Sequence, residues 1–78
     1  MALLSAKKFD RLEKERYSIH KPAAATFSSY DIGGVKYVQI DTYGTKDRVM
    51  PEKVSQSIQI DKEMAIALIT VLKQEFNI

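Results

Sequence analysis

Val35-Lys36-Tyr37-Val38-Gln39-Ile40-Asp41-Thr42-Tyr43-Gly44 and, further along, Ser55-Gln56-Ser57-Ile58-Gln59-Ile60 are two runs of alternating polarity separated by a basic segment. Alternation marks a strand, because successive strand side chains point to opposite faces of a sheet. In the first run Lys36, Val38, Ile40 and Thr42 therefore share one face, and Tyr37, Gln39, Asp41 and Tyr43 share the other. One face can pack against a core, while the other is aromatic and polar.

Upstream, Ala24 to Ile32 reads T-F-S-S-Y-D-I after a small-residue lead and is predicted as a strand. Gly33-Gly34 joins it to the first alternating run, and such a pair supplies the positive φ that a tight antiparallel hairpin demands. Gly44 to Val54 reads either as a long loop or as a loop holding a short strand around Arg48 to Met50. Pro51 argues against a central strand throughout.

Downstream, Asp61 stands directly before K-E-M-A-I-A-L-I-T-V-L-K-Q-E-F, where its carboxylate can accept the first N–H groups of a helix. Ala65, Leu68, Ile69, Leu72 and Phe76 recur at helical spacing, and Met64 and Val71 widen the apolar stripe. At the other end, Ser5 to Arg16 is predicted as a short charged helix capped by Ser5, with Phe9 and Leu12 on its thin apolar side. Tyr17 to Pro22 reads as a linker, because Pro22 disfavours helix at Lys21. The expected architecture is one α+β domain over residues 1–78. It comprises a short charged N-terminal helix over 5–16, a curved antiparallel sheet of three to four strands over 24–60, and a C-terminal amphipathic helix over 61–76 that packs the sheet.

A chain of 78 residues buries little surface alone, and without cysteine it has no disulfide or thiolate ligand to help. With so broad an apolar stripe on the last helix, a homodimer through that helix is expected. The absence of cysteine fits a reducing compartment, and no apolar run reaches the length of a membrane span, so the cytoplasm is the expected location. The net charge of +2 is concentrated in Lys7 to Arg16, so any nucleic-acid binding must come from local clustering.

Local clustering is present beside the aromatic face. Tyr37, Gln39 and Tyr43 offer rings that stack on unpaired bases and a polar side chain between them, with Tyr30 and Phe27 nearby in the hairpin. Lys46, Arg48 and Lys53 surround the following turn, placed to meet phosphates. The plainer account is that aromatic residues favour strands anyway, and that loop cations interspersed with Asp47 and Glu52 are ordinary solvated charge. Catalysis is not expected. His20 is the only histidine and has no cysteine with which to hold a metal, and Asp41, Glu52 and Lys53 lack the acid-x-Lys spacing of metal-dependent nucleases. No metal or cofactor is therefore expected.

Over about Ala25 to Phe76 the order of parts resembles the single-stranded-DNA-binding domains of the positive-cofactor-four type of transcriptional coactivator and their bacterial and phage relatives. The resemblance rests on Val38 and Ile40 in the strand, Pro51 and Lys53 before the last strand, Ile58-Gln59-Ile60 within it, and Asp61 at the helix cap. It implies a non-catalytic module that binds single-stranded nucleic acid across its sheet. The alternative is a protein-interaction or inhibitor module of a phage or bacterial defence system, using the same face on a protein partner.

Overall fold

The computed structural model describes residues 1–44 and 53–78. Four strands, β1 (Ala2–Leu3), β2 (Ala25–Ile32), β3 (Val35–Tyr43) and β4 (Val54–Ile60), precede one helix, α1 (Lys62–Phe76). They form a single sheet in the order β1-β4-β3-β2. The fold is α+β, as the sequence implies. The segment around Arg48 to Met50 lies outside the described residues.

The β2–β3 hairpin follows from its turn. Gly33 and Gly34 have φ of +60° and +79°, the pair of positive values that a two-residue turn of matching twist requires. This sets the register Tyr30 opposite Tyr37, Ser28 opposite Gln39 and Phe27 opposite Ile40. Antiparallel pairing of β3 with β4 then places Gln39 opposite Gln59, Asp41 opposite Ser57 and Ile40 opposite Ile58. An irregularity at Thr42/Tyr43 shifts the last pair to Tyr43 and Val54.

Helix α1 begins where Asp61, in extended conformation, accepts a hydrogen bond from the Met64 N–H at 2.9 Å. It ends at Asn77, whose left-handed backbone (φ 56°) returns its N–H to the Lys73 carbonyl. Both ends are thus satisfied locally, and the helix spans the expected residues.

Three expectations are corrected. The charged helix over 5–16 is reduced to a single 3-10 turn, Ala6–Lys8, with Ser5 accepting from the Lys7 N–H at 3.3 Å. Phe9 and Leu12 give it too little apolar surface, and a helix this short cannot offset its nucleation cost without packing. The sheet is mixed instead of wholly antiparallel, because the N-terminus adds β1 parallel to β4, Ala2 opposite Ile58 and Leu3 opposite Gln59. Two residues carry too little pattern to be read as a strand in advance. Finally, α1 covers the apolar sheet face incompletely.

The incomplete cover shows in the core. Among the described residues Ile60 and Met64 are the buried apolar side chains, Met64 completely so. Between α1 and the sheet runs an apolar groove of about 380 Å³, with Val38 and Ile60 on one wall and Ala65, Leu68, Ile69 and Leu72 on the other. Phe27, on the same sheet face as Ile40, is 83% exposed. Among the described residues no helix is long and apolar enough to cross a membrane.

Candidate nucleic-acid interface

The polar sheet face is built by register. Tyr30 and Ser28 from β2, Tyr37, Gln39 and Asp41 from β3, and Ser57 and Gln59 from β4 project to one side. Tyr30 and Tyr37, directly opposed, stack with ring centroids 5.9 Å apart and planes at 29°. That distance lies within the range favoured by offset aromatic pairs.

Beside the rings the side chains form a continuous hydrogen-bonded network. The Tyr30 hydroxyl donates to Gln39 Oε1 at 3.0 Å, and Gln59 Nε2 donates to the Tyr30 hydroxyl at 2.8 Å and to Gln39 Oε1 at 3.2 Å. Gln39 Nε2 in turn donates to Asp41 Oδ1 at 2.9 Å, and the Ser57 hydroxyl donates to the same oxygen. The Ser57 hydroxyl first, and then the Gln39 amide, hold the Asp41 carboxyl below its ordinary range, against a smaller upward push from partial burial. The carboxylate is therefore ionised at neutral pH. A hollow of about 390 Å³ lies between this network and β1, bordered by Met1, Leu3, Gln39, Ser57 and Gln59. A smaller one of about 170 Å³ lies between Leu3, Gln59 and the two tyrosines.

The expected site residues fall into three groups. Tyr37 and Gln39 lie within the network's face and are half-buried. Tyr43 is on the same side but at the opposite end of β3, roughly 20 Å from Tyr37 at strand rise, where its hydroxyl pairs with Thr26 Oγ1 at 2.9 Å. Lys53 is exposed just before β4, at that same end, where Tyr43 pairs with Val54. Lys46 and Arg48 lie outside the described residues. Phe27 does not join the aromatic group, because it pairs with Ile40 on the apolar face.

Sequence reasoning left Ser57 and Gln59 out of the site and named Tyr30 only as a neighbour. A signal was available. In the last alternating run Ser57 and Gln59 share the side opposite Ile58 and Ile60, and the polar sides of paired strands must coincide.

Compared with family models, curated proteins and solved structures, the chain matches none of them.

Proposed function

We propose that this protein binds single-stranded DNA or RNA across the polar sheet face, without catalysis. The observation that carries this reading is the stacked Tyr30–Tyr37 pair set against a network of amide, hydroxyl and carboxylate groups on a face that α1 leaves open. Outer ring faces suit any unpaired base, and the polar groups alongside give a base edge something to meet. Lys53 at the far end, with Lys46 and Arg48 from the intervening segment, supplies charge for phosphates.

The module works as a homodimer in this reading. Ile69, Leu72 and Phe76 recur along α1 and all stay exposed, an apolar stripe that a second copy can cover. The apolar groove along α1, with Ile69 and Leu72 in its wall, is on the side opposite the polar network. A second copy seated there leaves both nucleic-acid faces open. The second reading is a protein-interaction module that offers the same polar sheet face, with its Tyr30–Tyr37 pair and amide groups, to a protein partner.

A salt-titrated binding assay with single-stranded and duplex oligonucleotides tests the proposal. Single strands should bind more tightly, because duplex bases are already stacked on one another. Tyr37→Ala should cost about 1–3 kcal/mol with little change in salt dependence, since stacking releases no counterions. Lys53→Ala should lower the salt slope by about 0.7 for a single strand. No single-strand binding at low salt, where the electrostatic contribution is largest, would leave the protein-interaction reading in its place.

A further inference from the structure

We propose that the polar face selects bases as well as stacking them, taking a base with an exocyclic amino group beside a ring-nitrogen acceptor, cytosine or adenine, in preference to thymine or uracil. This inference rests on the reading that the face binds single strands.

The selection follows from how the network is wired. A carboxylate only accepts hydrogen bonds, so the group that Gln39 turns toward Asp41 must be its amino end, Nε2. Its carbonyl Oε1 must then face the other way, toward Tyr30 and Gln59. Gln59 meets that carbonyl and must therefore present its own amino end, as it does. One carboxylate thus orients two amides that would otherwise be free to flip. Ser57 fixes the carboxylate in turn by occupying Oδ1.

Each group keeps a defined part of its hydrogen-bonding capacity. Gln39 Nε2 has two hydrogens and, among the described residues, one bond, to Asp41. Both bonds into the carboxylate end on Oδ1, so Oδ2 has no side-chain partner among the described residues. A donor and an anionic acceptor therefore lie side by side on a half-buried strand face, and Gln39 of the pair, with Ser57 and Gln59, borders a hollow large enough for a small planar ligand. Cytosine and adenine answer this pair directly. The amino N–H goes to Asp41, as carboxylates accept from the cytosine amino group, and the ring nitrogen accepts from Gln39. Thymine and uracil have a single ring N–H flanked by two carbonyl oxygens. Bringing that N–H to Asp41 also brings a second carbonyl oxygen against the carboxylate, where like partial charges repel. Gln59 acts here as a positioning residue, since it reaches the base only through Gln39.

The decisive comparison is between oligo(dC) and oligo(dT) of equal length near neutral pH. Both are pyrimidines on the same backbone, so charge is matched, and the extra methyl group of thymine adds apolar area that favours dT, so a preference for dC has to come from the hydrogen-bonding edge. The wild-type protein should bind oligo(dC) at least about fivefold more tightly, the lower end of what a bidentate base contact supplies. Asp41→Asn frees Gln39 to turn, and Gln39→Met removes its N–H. Each should bring the dC:dT ratio toward one, read within each variant so that a general loss of affinity cancels. Equal wild-type affinity for the two oligonucleotides overturns base selection while leaving single-strand binding intact. A preference for dC that persists in both variants overturns the assignment to Gln39 and Asp41. Failure to bind either oligonucleotide at low salt overturns the underlying reading and this inference together.

Discussion

Gln39 and Gln59 face each other across β3 and β4 and are joined amide to amide, with Gln59 Nε2 donating to Gln39 Oε1 at 3.2 Å. The pair links an aromatic end of the sheet face, Tyr30 and Tyr37, to an anionic one, Asp41 and Ser57. Its direction is set by Asp41, which makes that carboxylate the first place to perturb.

Lowering the pH should weaken the fold through Asp41. Its folded pKa lies below the ordinary 3.8, so the unfolded chain takes up the proton first as pH falls. The stabilisation is fully present above about pH 5 and is lost as pH drops through 3.8 toward the folded value. Urea unfolding of wild type and Asp41→Asn across pH 2.5 to 7 checks this. The gap between the two proteins should be widest at neutral pH and shrink on acidification; a constant gap would contradict the assignment.

The proposed dimer would form through the groove along α1. Leu72 lines it and remains exposed at the surface, so Leu72→Lys should place a charge where a second copy would bury it. Sedimentation at tens of micromolar should show a dimer for the wild type and a monomer or unfolded chain for the variant. A wild type that sediments as a monomer removes the second copy from the account.

The hairpin turn is sensitive to backbone conformation, not to space. Nothing lies within 4 Å of the position a Cβ would take at Gly34, yet its φ is +79°. Gly34→Ala should therefore cost about 1–2 kcal/mol, the penalty of an L-residue in the left-handed region, seen as a lower urea midpoint with unchanged slope. A D-alanine introduced there by chemical synthesis should restore most of the loss, because its mirror-image geometry accepts that φ.

Asp61 stabilises α1 through a single acceptor, its bond from the Met64 N–H. Asp61→Ala should cost about 1 kcal/mol, while Asp61→Asn, which keeps an acceptor in place, should remain near wild type. Thermal or urea unfolding of the two variants separates the cap from any effect of the charge.

Strand alternation at i and i+2, the Gly33-Gly34 turn and the Asp61 cap are local relationships between neighbours, and they placed β2, β3, β4 and α1 from the residues alone. The two sides of β3 were legible for the same reason, since each side chain's face follows from its parity. The joining of Tyr30, Gln39 and Gln59 was not, because it depends on the register of three strands brought together from distant parts of the chain. Nor was the separation of Tyr37 from Tyr43, two residues alike in pattern that six steps of strand rise hold apart. Helix over 5–16 was expected from charge spacing and a cap, signals worth only tenths of a kcal/mol per pair; helix formation there needed a packed face that tertiary structure does not supply. The pairing of Ala2–Leu3 with β4 is likewise a tertiary decision, because two residues acquire strand geometry only when an existing edge offers them hydrogen bonds.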